Sequence, residues 1–258
     1  MSTSINLNAD LGESFGAWTM GDDETLLGIV GSANVACGFH AGDPLVMRRT
    51  VRLARELGVS IGAHPSYPDL QGFGRRPMQM GASELEAAII YQIGALAAMA
   101  AAEGARVTHV KPHGALHNVA SADLEVARTV ARAVAAVDRS LSFLAPCLSQ
   151  LVVAGREAGL CVVEEIFADR AYLDDGQLVP RGRPGAVIGD PEACLTHVGR
   201  MLAEQALVTV TGKRLAARPQ SICVHGDGSQ AIATARRLRE GLIASKYSLV
   251  TIPELPRD

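Results

Sequence analysis

The stretch Asn34-Val-Ala-Cys-Gly-Phe-His-Ala-Gly-Asp-Pro44 contains, in order, the parts of one strand–helix unit. The apolar run Asn34–Phe39 predicts a buried strand, and His40 follows at its end. Asp43 then offers a side-chain acceptor at a helix N-cap, with Pro44 at the first helical position, where its missing N–H costs nothing. Asp43 is therefore either a helix cap or a site residue.

Units of this kind repeat along the chain, because short apolar runs alternate with longer helical patterns. Seven units without a break in composition predict one domain, residues 1–258, with a parallel sheet inside and helices outside. A barrel brings the carboxyl ends of all its strands to one mouth, where the polar residues at these ends can form a single site. We therefore predict an α/β fold, a seven-stranded parallel β/α barrel of the TIM-barrel kind, with strands at Ile5–Asp10, Asn34–Phe39, Ser60–His64, Val107–Lys111, Ser142–Ala145, Cys161–Ile166 and Ser221–Val224.

Helices are expected near Asp22–Val30, Asp43–Leu57, Ser83–Glu103, Asp123–Val137, Leu148–Ala158, Asp190–Ala206 and Ser229–Ile243. A last short run, Leu249–Ile252, is expected to close the chain against its start.

The composition of the chain excludes several classes of protein. Its 258 residues are 48% hydrophobic and 20% charged, which permits a sizeable core, and a net charge of −3 gives no indication of nucleic-acid binding. The apolar run from Ala87 to Ala102 is shorter than a membrane span, so a buried helix of a soluble protein is expected. The five cysteines are widely spaced, and the first residues lack a signal-peptide pattern, so we expect a cytoplasmic protein with reduced thiols.

The ends of the predicted strands carry most of the residues capable of acid–base chemistry or ligand binding. Six of the seven histidines lie at or just before such ends, together with acids and a lysine. In a β/α barrel these positions form the active site, so we expect a small-molecule site at this rim. The strand-end residues include Asp10 and Glu13, His40 and Asp43, His64, His109, Lys111, His113 and His117, Glu165, Asp169 and Arg170, and His225 and Asp227.

Lys111 shares one face of its strand with His109 and His113, since side chains alternate along a strand. A lysine directed inwards is costly unless it is paired or functional. Lys111 therefore acts as a base, stabilises an oxyanion, or forms a structural salt bridge to Asp10 or Glu165.

Several of these segments resemble the LamB/YcsF family, and the resemblance runs in order over nearly the whole chain. The matching motifs are long, and therefore more specific than any short pattern; one departure is His117, where the family pattern has tyrosine. The motifs are Asn6-Leu-Asn-Ala-Asp-Leu-Gly-Glu13, Ala33 to Pro44, Gly62-Ala-His-Pro-Ser-Tyr-Pro-Asp-Leu-Gln-Gly-Phe-Gly-Arg-Arg76, Val110-Lys-Pro-His-Gly-Ala-Leu116, Glu165-Ile-Phe-Ala-Asp-Arg170 and Val224-His-Gly-Asp227.

The resemblance implies a barrel related to the glycoside hydrolase/deacetylase group and a 5-oxoprolinase activity. In that activity 5-oxo-L-proline (pyroglutamate) is opened to L-glutamate with hydrolysis of ATP, and subunits B and C are the partners. ATP would be a co-substrate. Gly212-Lys213-Arg214 does not complete a phosphate-loop motif, so we expect the nucleotide to be bound mainly by the partner subunits and the single chain to be inactive.

The implied reaction suggests roles for the rim residues. Phosphorylation of the lactam oxygen, attack of water and loss of phosphate need acid–base groups, for which Asp10, Glu13, His64 and His113 are candidates, with Lys111 at the lactam oxygen. The guanidinium groups of Arg75, Arg76 and Arg170 suit a carboxylate or a phosphate. A loop salt bridge for Arg75 and Arg76, or an Asp169–Arg170 pair, is equally consistent with the sequence. The candidate substrate-binding residues are His40, Asp43, Arg75, Arg76, Asp169, Arg170, His225 and Asp227.

Two other kinds of function stay open on this sequence. One is a metal-dependent carbohydrate or amide deacetylase, in which a divalent metal, if present, is bound by Asp10, His40, His64 and His113, with His109 as a further candidate. The other is a subunit that binds and presents substrate without catalysing its conversion. The long connection Ala168–Asp190 is either a lid, a docking loop or an ordered surface excursion.

Overall fold

The first strand shows how the sequence builds the barrel, because polar and apolar side chains alternate along it. The computed structural model of the chain describes residues 3–228 and 230–256. Asn6, Asn8 and Asp10 of this strand hydrogen-bond with side chains of other barrel strands, which places them inside the barrel. The apolar residues between them are buried in the main hydrophobic core, on the side of the helices.

Ten strands occur in the described residues, and seven of them close into a parallel barrel. The strands are β1 (Ser4–Leu11), β2 (Ser32–Ala36), β3 (Ser60–His64), β4 (Val107–Val110), β5 (Ser142–Pro146), β6 (Cys161–Phe167), β7 (Ala206–Val208), β8 (Arg214–Ala216), β9 (Ser221–Val224) and β10 (Ser248–Leu249). The strands of the barrel are adjacent in the order β1-β2-β3-β4-β5-β6-β9, and β9 pairs in parallel with both β6 and β1. The predicted seven-stranded β/α barrel is therefore confirmed.

Helices cover the outside of the barrel, and the caps predicted for two of them are confirmed. The helices are α1 (Asp23–Leu27), α2 (Pro44–Glu56), α3 (Ala82–Ala102), α4 (Gly114–Ala122), α5 (Leu124–Val137), α6 (Gln150–Glu157), α7 (Pro191–Glu204) and α8 (Ala231–Ala244), followed by a 3-10 turn at Ile252–Glu254. The carboxylates of Asp43 and Asp190 accept hydrogen bonds from the first backbone N–H groups of α2 and α7.

The structure departs from the predicted elements at three places. The second strand is Ser32–Ala36. It ends there because the chain turns directly afterwards at Gly38, which has a positive φ of 94°. Helix α7 ends at Glu204, since Gln205 is left-handed (φ 47°), and the chain continues into the antiparallel β7–β8 hairpin. Gly212, singled out above beside Lys213, lies in the connection of this hairpin. Helix α4 was not predicted.

The end of the chain returns to its start, as predicted. Ser248 and Leu249 of β10 pair in parallel with Ser4 and Ile5, the first two residues of β1, ahead of the residues that pair with β2 and β9. This pairing is shorter than the predicted run, because the chain turns into the 3-10 turn after Thr251. A single domain over residues 1–258 remains a prediction.

Helix α3 is long and apolar enough to cross a membrane by length and composition alone. In the structure one side of α3 packs on the barrel and on α5, burying Leu85, Ile89, Ile93 and Leu96. The opposite side is open, and Tyr91 is 65% exposed. Helix α3 is thus a surface helix of the barrel, with one face buried and the opposite face exposed.

The interior of the barrel contains a continuous column of hydrogen-bonded polar side chains. At its lower end Asn6 donates to Ser32 and accepts from Ser221. Asn8 donates to Ser221 and accepts from Asn34, which in turn donates to Asp10 at the upper end. We name these side chains, with His109, the polar column. The column satisfies polar groups that would otherwise be costly to bury, and it fixes the orientation of Asp10.

Candidate active site

A cavity of about 510 Å³ opens at the carboxyl ends of the barrel strands. This is the mouth at which β/α barrels carry their sites, and the volume suits a small molecule. Its deep part is lined by Asp10 and His64, at the ends of β1 and β3, and by Lys111 just after β4, and its outer part by the connection after β6. The polar lining residues are Asp10, His64, Arg75, Lys111, His113, His117, Asn118, Arg170, Gln177, Arg181 and His225.

Lys111 follows β4 and is 1% exposed, although it carries a charge. Its Nζ atom lies 2.9 Å from Oδ1 of Asp10 and 3.6 Å from Oε2 of Glu165, and it donates to the thiol of Cys223 at 2.8 Å. Burial alone would lower the pKa of Lys111, but the carboxylates of Asp10 and Glu165 outweigh it and raise that pKa well above its usual range. Lys111 is therefore a fixed cation, and a role as a base is disfavoured.

Four buried side chains meet beside Asp10, and we name them the Glu13–histidine cluster: Glu13, His40, His64 and His113. The rings of His40 and His113 stack with centroids 3.8 Å apart. One ligand atom from each of the four side chains lies within 4.8 Å of the others, so the cluster could hold a metal ion. The sequence hypothesis placed Asp10 in this set, whereas the structure groups Glu13 with the three histidines.

The environment of this cluster disfavours charge on Glu13, His40 and His113. Burial lowers the pKa values of His40 and His113 well below the usual range for histidine. Burial also raises the pKa of Glu13 well above its usual range, and the nearby Asp10 adds to the rise. No protein cation in the cluster compensates for these groups.

The two adjacent arginines predicted for substrate binding are separated by the loop that carries them. Phe73 and Gly74 both have positive φ, 54° and 63°, and the chain turns sharply there. Arg75 enters the cavity wall and pairs with Asp227 at 2.5 Å, whereas Arg76 pairs with Asp69 and is absent from the cavity lining. Arg76 thus matches the alternative of a loop salt bridge.

The connection after β6 forms the outer wall of the cavity. Arg170 is buried and donates to the carbonyl oxygens of Val179 and Ala186, which ties the connection together. Burial and, to a smaller extent, the positive charge of Arg181 together lower the pKa of Arg170 to about 10. Residues 168–190 therefore form an ordered wall in which two arginines, Arg170 and Arg181, border the cavity.

The remaining predicted residues divide between the cavity and its surroundings. Asp169 is paired with His225 at 2.8 Å and not with Arg170, so the considered Asp169–Arg170 pair is wrong. His225 lines the cavity and stacks on Phe167. Asp43 does not line it; its carboxylate caps α2 and accepts from the N–H of Gly16, which makes the helix-cap interpretation the one that the contacts support.

Some lining residues were missed by the sequence analysis as site residues. His117 lies on α4, one turn after His113, and its ring packs edge-on against Phe167. Burial lowers the pKa of His117 to about 3, so this ring is a neutral donor or acceptor in the wall. The His113-x-x-x-His117 spacing was the signal for this position, since His113 directly precedes α4 and His117 lies in the first turn of that helix.

The fold and the site together define a closed seven-stranded β/α barrel with a polar, cation-lined cavity at its mouth. The model of the LamB/YcsF family matches residues 5–257, and the chain belongs to this family.

Two relatives are similar over almost the whole chain. The A subunit of 5-oxoprolinase from Azoarcus sp. (strain BH72) is 61% identical over 251 residues, which are 97% of this chain and 98% of the relative. The crystal structure of the lactam utilization protein from Thermus thermophilus has 44% sequence identity and a TM-score of 0.91, with 97% of this chain and 100% of that chain covered.

A more distant likeness concerns the fold alone. The catalytic domain of a peptidoglycan N-acetylglucosamine deacetylase from Eubacterium rectale ATCC 33656 superimposes with a TM-score of 0.53 at 11% identity, over 100% of this chain and 92% of that chain. The predicted relation of the barrel to the deacetylase group is confirmed at this level.

Proposed function

We propose that the chain is the A subunit of an ATP-dependent 5-oxoprolinase, a hydrolase that opens 5-oxo-L-proline to L-glutamate. The names of the Azoarcus and Thermus relatives support an activity on a lactam. Within the site, one observation carries the proposal: a fixed cation, Lys111, lines a cavity whose outer wall carries further cationic groups. A small lactam that bears a carboxylate is complementary to this arrangement.

The two polar ends of the substrate would meet different parts of the cavity. Its carboxylate suits the guanidinium groups of Arg75, Arg170 and Arg181 in the outer wall, because their donors match a carboxylate in geometry and charge. Its lactam oxygen suits the ammonium of Lys111, which would stabilise negative charge that develops on that oxygen. The lactam carbon would then lie near Asp10.

The reaction has a balanced course with these groups. The γ-phosphoryl group of ATP passes to the lactam oxygen, water adds to the activated carbon, and the C–N bond breaks as the ring nitrogen takes a proton. A second water releases phosphate from the acyl phosphate and leaves L-glutamate. Asp10 is our candidate for accepting the proton of the attacking water, since its carboxylate lines the cavity and the ammonium of Lys111, 2.9 Å away, keeps it ionised.

We propose that the nucleotide is bound mainly by two partner subunits, B and C, in the cytoplasm. The support is the lack of a phosphate-loop sequence, together with the word "subunit" in the name of the Azoarcus relative. The single chain would then bind the lactam and complete the reaction only within the complex.

An assay of the chain with and without both partner subunits tests this function. We expect ATP-dependent formation of glutamate and ADP from 5-oxoproline by the three proteins together, and none above background by the chain alone. Robust turnover by the single chain would contradict the division of labour. A mixture of all three that leaves 5-oxoproline intact would contradict the function itself.

A metal-dependent deacetylase is the second candidate, and the Glu13–histidine cluster is the observation that favours it. The fold likeness to deacetylases adds only a shared barrel. Release of acetate from N-acetylglucosamine oligomers by the metal-loaded single chain would support this candidate over the first.

A further inference from the structure

The Glu13–histidine cluster contains hydrogen-bond acceptors that face one another without a donor between them. Nδ1 of His64 lies 2.7 Å from the carbonyl oxygen of Lys111. A carbonyl oxygen only accepts, so Nδ1 carries the proton, and the Nε2 atom of a neutral His64 presents a lone pair. This tautomer is fixed by the backbone and directs the lone pair into the cluster.

The tautomer of His113 is also fixed by a backbone carbonyl, but with the proton on Nε2 instead of Nδ1. Its Nε2 atom lies 2.9 Å from the carbonyl oxygen of Phe73 and must donate to it, which leaves a lone pair on Nδ1. Nδ1 of His113 and Nε2 of His64 are 3.0 Å apart. When both imidazoles are neutral, these lone pairs point at each other, and Oδ2 of Asp10 lies 3.4 Å from the same Nε2 atom, so the arrangement needs a positive centre between or beside the two rings.

Glu13 and His40 add unsatisfied atoms to the same point. Oε1 of Glu13 and both ring nitrogens of His40 are buried without a hydrogen-bond partner among the described residues. Oε1 lies 3.4 Å from Nε2 of His40 and 3.6 Å from Nδ1 of His113. A proton shared by His64 and His113 would leave these atoms unsatisfied, and unsatisfied buried polar atoms are destabilising. A cation bound by all four side chains would satisfy them together, apart from one nitrogen of His40.

The spacing of the ligand atoms fits one small metal ion. Zinc bonds of about 2.0–2.1 Å in a tetrahedron hold neighbouring ligand atoms about 3.3 Å apart. Three of the six distances between ligand atoms are 3.0, 3.4 and 3.6 Å, and all four atoms lie within 4.8 Å of one another, so small side-chain shifts bring them onto one ion. The carbonyl groups of Lys111 and Phe73 hold the outer N–H groups of two ligands, as outer-shell acceptors do in metal sites.

We propose that Glu13, His40, His64 and His113 bind one divalent transition-metal ion of the zinc class. Three imidazoles and a carboxylate favour zinc, or a similar ion such as cobalt(II), over magnesium and calcium, which prefer oxygen ligands. The proposal rests on the geometry of the cluster and does not depend on the 5-oxoprolinase activity. Because His64 and His113 also line the cavity, a bound ion would lie beside a ligand there and could polarise a carbonyl oxygen.

Metal binding to the purified full chain tests the proposal directly. The chain is stripped with a chelator and titrated with Co²⁺, and the bound metal is counted by elemental analysis while visible absorption reports the coordination. We expect one equivalent of Co²⁺ with the intense visible bands of a tetrahedral site, and displacement of Co²⁺ by Zn²⁺. Thermal unfolding should shift to higher temperature with the metal.

Variants locate the binding site. Glu13→Gln and His113→Ala should each weaken Co²⁺ affinity by at least the roughly 10- to 100-fold that loss of an outer-shell partner produces. The matched control is His197→Gln, because His197 is a largely buried histidine on α7 outside the cluster and contacts the carbonyl of Arg170. This control should bind metal like the original chain. Circular dichroism checks that each variant is folded.

Two results would overturn the proposal. One is an original chain that binds less than a stoichiometric amount of Co²⁺ or Zn²⁺; the cluster would then be held by a proton between His64 and His113. The other is stoichiometric binding that Glu13→Gln and His113→Ala leave unchanged. If both variants fail to fold, X-ray absorption of the zinc-loaded original chain decides, since fewer than three imidazole ligands contradicts the site. Stoichiometric metal binding, together with a three-subunit mixture that leaves 5-oxoproline intact, would refute the proposed function and leave the metal site standing.

Discussion

The ammonium group of Lys111 and the carboxylate of Asp10 form an ion pair of 2.9 Å that is almost completely removed from water. Such a pair stabilises the fold only because each charge compensates the other, and Glu165 supplies a second negative charge at 3.6 Å. Because the pair is buried, it produces a strong local electric field at the cavity wall. Stability and chemistry are therefore coupled at this point of the barrel.

Replacement of Asp10 by asparagine should separate chemistry from folding. Asp10→Asn removes the proposed proton acceptor while Glu165 still compensates Lys111, so we expect a folded chain whose complex loses at least about 100-fold in turnover. Glutamate formation by the three-subunit mixture is the measurement. Asp43→Asn is the control, because asparagine caps helices as well as aspartate does. Near-normal turnover by Asp10→Asn, or lost 5-oxoproline binding as its only defect, would contradict a catalytic role.

Removal of the cation should reduce stability. Lys111→Met leaves the carboxylates of Asp10 and Glu165 buried without a counter-charge, which typically costs about 3–5 kcal/mol in the free energy of unfolding. Urea unfolding measures this loss. Adding Glu165→Gln removes one uncompensated charge and should restore part of the stability. A double variant no more stable than Lys111→Met would show that the loss has another cause.

The adjacent arginines provide a matched pair for substrate binding. Arg75→Met removes a guanidinium from the cavity wall, and hydrogen bonds to charged groups contribute about 1.5–3 kcal/mol, so the KM for 5-oxoproline should rise about 10- to 100-fold. Arg76→Met removes a guanidinium that pairs with Asp69, away from the cavity lining, and should leave KM unchanged. Steady-state kinetics of the complex distinguish the two. Equal effects of both changes would argue against a carboxylate site at Arg75.

Acid should destabilise the barrel through His109. Burial lowers the pKa of His109 to about 3, with Lys111 and His64 acting in the same direction, whereas the unfolded chain has a value of about 6.5. Above pH 6.5 the ring is neutral in both states. Between about pH 6.5 and 3 only the unfolded state takes up the proton, so stability falls by up to about 1.4 kcal/mol per pH unit. His109→Gln should show a shallower fall in urea unfolding between pH 7 and 5; parallel curves would contradict this.

A methyl group at Gly62 should disturb the barrel interior. A Cβ atom built there would overlap the ring of His109, which the polar column holds in place. Gly62→Ala should therefore cost about 1–3 kcal/mol of stability. Gly94→Ala in α3 is the opposite case, because nothing lies within 4 Å and alanine favours a helix by about 0.5–1 kcal/mol. Thermal unfolding compares them, and an unchanged midpoint for Gly62→Ala would show that the ring can move.

The barrel and the deep part of its site could be predicted from the sequence because both follow from local patterns. Alternation along β1 places Asn6, Asn8 and Asp10 on one face, and the same rule places His109 with Lys111. Parallel strands then bring their ends to one mouth. The pairing of Lys111 with both Asp10 and Glu165 was foreseen as an alternative, since a buried lysine requires an anion.

The outer parts of the site could not be predicted, because they depend on long-range loop geometry. Arg75 and Arg76 are equivalent in sequence, and only the left-handed backbone at Phe73 and Gly74 directs one of them to the cavity. Similarly, Glu13 follows β1 by two residues, and its place beside the three histidines depends on a turn at Gly12 (φ 69°) that no periodic pattern encodes.

The polar column also acts as a lock on strand register. A slip of β1 by one residue would turn Asn6 and Asn8 towards the apolar helices and carry Leu7 into the barrel. Every amide in the column would lose its partner at once, and the penalty would grow with each strand added in the wrong register. A barrel filled only with aliphatic side chains would tolerate such slips more easily. The asparagines that hold Asp10 in place therefore have a second effect during folding. They favour the correct closure of the seven strands over barrels in which a strand has slipped in register.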